Sequence, residues 1–146
     1  MQNKHKGFTL IELMVTIAVM AIIAMMAAPS FNTMIMNQNL KSSTDSLVQE
    51  IKLVRSKAVL DKREIKLVLA STNADSPTVL NWSPKGQVRL KTANNKEVKF
   101  DGSGILTSFG ELSVIELCQK NGASPSKKIT LTALGQIEKI EEGSCP

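Results

Sequence analysis

Few side chains in this sequence are placed to do chemistry. The one histidine, His5, stands just before a long apolar run. No G-x-S-x-G occurs, and Gly102-Ser103-Gly104 is too short to cradle a phosphate and lacks the third glycine of a dinucleotide fingerprint, so it reads as a tight turn. Glu141-Glu142 reads as a solvated acidic pair beside a turn glycine. Two constellations carry more information. The first is Glu12, the single charge in Phe8 to Ala28, with Thr9 and Thr16 the only other polar side chains there. An ionised group in such a segment costs roughly 3 kcal/mol or more on insertion scales, so it is kept for a partner. Thr9, Glu12 and Thr16 follow i, i+3, i+7 spacing and share one helix face, which should meet protein rather than lipid. The alternative is an ordinary anchor with a tolerated acid near the headgroups. The second constellation is Cys118 with Cys145. In an oxidising compartment these would form a bridge; otherwise they are two buried thiols.

The element that must position Glu12 is the run itself. As a helix, Phe8 to Ala28 would span about 31 Å, the thickness of a bilayer's hydrocarbon core. Ala18, Ala21, Ala24 and Ala28 permit close helix approach. Lys4 and Lys6 precede the run, so the positive-inside rule puts them in the cytoplasm and residues from Pro29 onward outside it. Pro29 should bend the helix. From Ser30 to about Leu60 the pattern becomes amphipathic: Leu40, Leu47, Val48, Ile51, Val54 and Ala58 form one stripe, and Lys41, Asp45, Glu50, Lys52 and Lys57 occupy other faces. The helix should stop near Asp61-Lys62-Arg63-Glu64.

Beyond that point the period changes to two. Strands are expected at Ile65–Leu69, Val79–Trp82, Val88–Lys91, Val98–Phe100, Leu112–Leu117, Ile129–Thr132 and Ile137–Ile140. Pro84-Lys85-Gly86 and Asp101-Gly102-Ser103-Gly104 are turn signals, and Ala93-Asn94-Asn95-Lys96 suggests a hairpin. Many short strands with frequent turns argue for antiparallel sheets. The fold class is therefore α+β: a long N-terminal helix packed on a β-rich head. Aromatics are only 3%, so Val, Ile and Leu must build the core, with Trp82 the one large aromatic placed for exposure.

The formal charge of +5 does not by itself imply a nucleic-acid binder, because residues 67–146 hold nearly equal numbers of acids and bases. Lys85, Arg89 and Lys91 could still form a basic strip on one strand face.

The N-terminal stretch KGFTLIELMVTIAVMAIIAMMAAPSF resembles that of type IV pilins and pseudopilins: a short basic leader ending in Gly7, then Phe8 to Glu12 and an unbroken apolar run. An ordinary secretory signal would need a small-residue site after the run, and Ala27-Ala28-Pro29-Ser30 offers a poor one. The resemblance implies a pilin-like fold with a leader over 1–7, a transmembrane and assembly helix over 8–29, its amphipathic continuation over 30–62 and a head over 63–146. It implies that prepilin peptidase cuts between Gly7 and Phe8, that Phe8 is then N-methylated, and that Glu12 is the helix-packing acid that neutralises a neighbouring subunit's terminal amine. Cleavage would remove His5, leaving no imidazole for a catalytic dyad or a zinc site. No enzyme activity, cofactor or metal is therefore expected.

The head resembles the GspH/FimT/FimU minor pilins through Val54-Arg55-Ser56-Lys57-Ala58, Val98-Lys99-Phe100-Asp101-Gly102 and Ile129-Thr130-Leu131-Thr132-Ala133-Leu134-Gly135, and the Cys118 and Cys145 pair resembles FimU-like members more than the secretion ones. The implied role is a subunit of a pilus priming or tip complex, supporting assembly, twitching motility or DNA uptake. Its partners would be other pilins through their N-terminal helices, prepilin peptidase and the inner membrane, with the head in the periplasm before export into a pilus. A minor pseudopilin of type II secretion is an alternative. DNA binding is a third, although the glycine-arginine-x-arginine motif of DNA-binding relatives reads Gly135-Gln136-Ile137-Glu138 here, which removes both cations and adds an acid.

Overall fold

The computed structural model describes residues 8–91, 96–108, 113–120 and 125–145 and, of residues 27–30, the backbone alone. The chain divides into two compact units, Met1–Ile35 and Met36–Pro146. One helix, α1 (Leu10–Asp61), contributes to both. It is continuous through Pro29, whose side chain lies outside the described residues.

In the first unit the helix is apolar apart from Glu12, Thr16 and the residues at its end, and nothing among the described residues covers it. Phe8, Met20 and Met26 are 87%, 70% and 77% exposed, and the Leu, Ile and Val residues between them are exposed as well. No single described helix is both long and apolar enough to cross a membrane; Leu10–Met26 and Phe31–Asp61 meet that test together, as a bent pair, by length and composition.

In the second unit the helix is two-faced, as its spacing requires. Leu40, Leu47, Ile51, Val54 and Ala58 are buried and Val48 is partly buried. Each fully buried aliphatic side chain contributes roughly 1.5–3 kcal/mol over its exposed state. Polar residues on this face are satisfied locally: the Thr44 hydroxyl donates to the Leu40 carbonyl at 2.8 Å, and Ser43 Oγ accepts the Lys85 amide at 3.0 Å. The helix ends in a Schellman-type cap. Lys62 adopts φ 50°, and the Arg63 amide reaches back to the Ala58 carbonyl at 3.3 Å.

Seven strands follow: β1 (Ile65–Leu69), β2 (Val79–Trp82), β3 (Val88–Leu90), β4 (Glu97–Phe100), β5 (Val114–Gln119), β6 (Ser126–Leu131) and β7 (Ile137–Gly143). They form a three-stranded sheet, β2-β1-β4, and a four-stranded sheet, β3-β5-β6-β7. Both sheets and the helix stripe share one core, with Phe100, Leu67, Leu117 and Ile129 fully buried. The burial patterns of β1, β2, β3 and β4 alternate, which is what the period-two reading requires.

Three sequence expectations are corrected. The hairpin at Ala93–Lys96 does not form: β3 pairs with β5 and β4 with β1, in different sheets, and residues 92–95 lie outside the described residues. Alternation shows which face of a strand is buried but not which strand lies beside it. Second, β1 and β2 are parallel, with Lys66 opposite Val79 and Leu69 opposite Trp82. Parallel neighbours need a crossover. Here the polar segment 70–78 serves, held by Asp75 Oδ1 accepting the Asn81 amide at 2.7 Å and Ser76 Oγ accepting the Val79 amide at 3.1 Å. Third, Trp82 is buried, and its indole N–H donates to Ser46 Oγ at 3.1 Å, so it offers no stacking surface. Residues 111–112, at the start of the expected Leu112–Leu117 strand, lie outside the described residues.

Candidate functional site

Thr9 and Glu12 form a reciprocal cap on α1. The Thr9 amide and hydroxyl both donate to Glu12 Oε2, at 2.9 and 3.0 Å, and Thr9 Oγ1 accepts the Glu12 amide at 3.3 Å. This is a capping box: residue types Thr-x-x-Glu satisfy two of the backbone groups that a helix start leaves unpaired. Glu12 Oε1 has no partner among the described residues. Phe8, Ile11, Glu12, Val15 and Thr16 line a shallow recess of about 360 Å³ along one face. The expected polar stripe is thus resolved into a bonded pair, Thr9 with Glu12, and a separate residue: Thr16 donates back to the Leu13 carbonyl at 2.8 Å. The result is a carboxylate held at the tip of an uncovered apolar helix, with one oxygen engaged and one available.

In the head, the three segments that resemble minor pilins meet at one junction. Arg55 Nε donates to the Gly104 carbonyl at 3.0 Å, tying the helix to the turn after β4. Asp101 Oδ1 accepts the amides of Ser103 and Ile105 at 2.8 and 3.0 Å, which shapes that turn. The Ala133 carbonyl accepts the Leu106 amide at 3.1 Å, bringing in the turn between β6 and β7. Gly135 completes the contact with φ 71°, where a Cβ would run into the Phe100 ring and sit 3.0 Å from the Gly104 carbonyl oxygen. These residues serve architecture: they lock helix, turn and closing strand together.

The face of the four-stranded sheet away from the helix carries a second polar cluster. Glu116 bridges Lys91 Nζ at 2.9 Å and the Ser126 hydroxyl at 2.7 Å. The Ser126 hydrogen bond, helped by the charges of Lys91 and Lys128, holds its carboxyl below the usual glutamate range. Beside it, the sulfurs of Cys118 and Cys145 are bonded to each other, with their Cα atoms 6.0 Å apart. Glu116, Cys118 and Cys145 lie as close together as metal ligands would. A sulfur committed to a disulfide offers no thiolate, so the trio does not fit a cation site. On the smaller sheet Glu97 lies between Lys66 and Lys99, at 3.0 and 2.9 Å, and their hydrogen bonds lower its pKa, Lys99 most.

The three basic residues of the expected strip are placed differently. Lys91 is paired with Glu116, Arg89 is exposed in the middle of β3, and Lys85 lines a recess beside the helix residues Lys41 and Asp45. Gly7 lies outside the described residues, and Phe8 precedes the helix. Sequence reasoning placed Glu12 and Thr9 on one face but did not read the cap, although the Thr-x-x-Glu spacing at the edge of an apolar run is its signal. The roles of Arg55 and Glu116 have no comparable local signal.

Comparison with known proteins agrees with this anatomy. Residues 2–28 match the prokaryotic N-terminal methylation motif. Two fimbrial proteins of Pseudomonas aeruginosa are each 28% identical over 97% of this chain and 97% of their own length. Two crystal structures of the type IV minor pilin FimU from the same organism superpose with a TM-score of 0.52 each. One is 14% identical and covers 75% of this chain and 96% of that one; the other is 17% identical and covers 73% and 98%. At those identities the likeness shows the fold, a long N-terminal helix on a β-sheet head. The chain thus carries an N-terminal methylation motif, is similar along its length to fimbrial proteins, and has the fold of the minor pilin FimU.

Proposed function

We propose that this protein is a structural subunit of a type IV pilus priming or tip complex. On this reading it is inserted in the inner membrane with its head in the periplasm, cut by prepilin peptidase between Gly7 and Phe8, methylated on Phe8, and moved from lipid into a bundle of sister helices. The observation that carries the reading is the uncovered apolar helix of the first unit, tipped by a carboxylate with an available oxygen. An exposed apolar surface of this extent exists to be covered, and a lone carboxylate in it calls for a cation. A neighbour's terminal amine has that charge. The head contributes attachment surface rather than catalysis.

The experiment is to express Glu12→Ala and Glu12→Lys in a piliated host lacking the native gene and to probe sheared filaments. Absence of both variants from filaments, with the protein still present in the membrane, supports the proposal. Incorporation at the native level counts against it. Mass spectrometry of the filament-borne protein should find Phe8 as a methylated terminus.

A further inference from the structure

A groove runs between α1 and β7 within the second unit. Its larger part, about 770 Å³, is lined by Val48, Lys52, Arg55, Val59, Ile137 and Ile140 among others. A second part of about 460 Å³ shares Ile140 and continues past Leu40 to Lys127 and Glu142. One wall of this groove is a sheet edge. β7 is the last strand in its sheet, and its seven residues make it the longest of the four edge strands. Of those seven, only Ile137 and Gly143 are even partly buried. A strand in this position presents unpaired amides and carbonyls along its outer side, and the group that satisfies such a row is another extended backbone.

The side chains are arranged to match. The pairing shifts register between Thr130 and Leu131, so Ile137 lies opposite Leu131 while Ile140 lies opposite Ile129. The bulge puts both isoleucines on the side of the buried Ile129 and Leu131, facing the groove, although three positions separate them. Ile140 is nonetheless 45% exposed: an apolar floor without a cover. The charges on β7 are largely used within the sheet, Lys139 with Glu141 at 3.1 Å and Glu142 with Lys127 at 2.8 Å. Those on the helix wall are not. Lys52 has no acidic partner among the described residues, and Arg55 engages only a backbone carbonyl. The wall also carries Lys41 and Asp45, which offset each other in charge, so the uncommitted charge of the groove wall is net positive.

We propose that this groove docks an extended segment of another protein. It would add to β7 as a fifth strand, and every second residue would face the groove: apolar side chains over Ile137 and Ile140, carboxylates beside Lys52 and Arg55, with the residues between them turned to the other face. The free edge asks for a backbone, the isoleucines for apolar side chains, and the two cations for an acidic sequence.

The test uses the full chain in detergent micelles and fluorescein-labelled heptapeptides read by anisotropy. The probes are Val-Thr-Glu-Thr-Val-Thr-Glu (the Val-Glu peptide), which puts Val and Glu on one face, its counterpart with Lys for Glu (the Val-Lys peptide), and Val-Glu peptides N-methylated at every other amide in each of the two registers. The expected result is saturable binding of the Val-Glu peptide, at least about tenfold tighter than the Val-Lys peptide. One methylated register should lose binding, because that register blocks the edge that pairs. Lys52→Glu should weaken binding by about fivefold. Ile140→Arg should abolish it and Ile140→Ala should weaken it, with circular dichroism confirming that both variants stay folded. Equal binding of the two charge types, binding that survives methylation in both registers, no saturable binding, or self-association of the chain through β7 in place of peptide binding would each overturn the proposal.

Discussion

The same helix behaves in opposite ways in its two halves. From Leu10 to Met26 it is apolar but for two side chains and entirely exposed; from Leu40 to Ala58 it is apolar on one stripe, and that stripe is buried under two sheets. The difference lies in the spacing of the polar residues. Charged and hydroxyl side chains interrupt the second half every few positions and leave a face that a sheet can cover. The first half is polar only at Glu12 and Thr16, near its start, and among the described residues no sheet covers it. One half therefore draws stability from packing within the chain, and the other has no such cover among the described residues. Changes in the first should alter where the protein goes, and changes in the second should alter whether it folds.

The largest effect expected from this contrast is on location. Glu12→Lys should remove the protein from filaments and leave the thermal midpoint of the head unchanged; a fall in that midpoint would erase the separation between the halves. Next comes the junction that closes the head. Gly135→Val puts a β-branched side chain at positive φ and against Phe100, and should destabilise the head by roughly 3–5 kcal/mol in urea unfolding. Cys145→Ser opens a loop with a sequence separation of 27 and should cost roughly 3–4 kcal/mol, seen as a lower urea midpoint. The disulfide joins β5 to the residues just past β7, skipping β6, so hydrogen exchange in β7 should rise more than in β1.

The smallest effect is on acid stability. Glu116 is held below its ordinary pKa in the folded protein, so its contribution is fully present above the unfolded carboxylate value, about 4.3, and is lost as pH falls through the folded one. Glu116→Gln should therefore lower stability near neutrality and flatten the acid limb of the stability–pH curve below about pH 5. A variant whose acid limb keeps its native slope would show that the Lys91 and Ser126 contacts do not persist in solution.

Legibility in the sequence followed the range of the interactions. The helix stripe, the stop near Asp61 and the alternation at Ile65–Leu69 depend on neighbours a few residues apart, and the structure has them where the spacing puts them. Strand partners were not legible. Val88 and Leu90 alternate in the same way whether they pair with β4 or β5, and their partners Gln119 and Leu117 lie some thirty residues away in sequence. The parallel β1–β2 pair depends on Asp75 and Ser76 folding the 70–78 segment back, which no period reports. Trp82 looked exposable because its hydrogen-bond partner, Ser46, lies far away in sequence. Glu12 was legible as an oddity, since one charge in an apolar run stands out, but its cap geometry and the groove along β7 needed coordinates.

The Thr9–Glu12 cap also fixes where helical backbone begins. Phe8 and Thr9 precede α1, which starts at Leu10. A protease cutting before Phe8 would therefore find those two residues already unwound, without melting a turn to thread them through its active site. The cap would thus leave Phe8 and Thr9 outside the helix while holding the rod behind them.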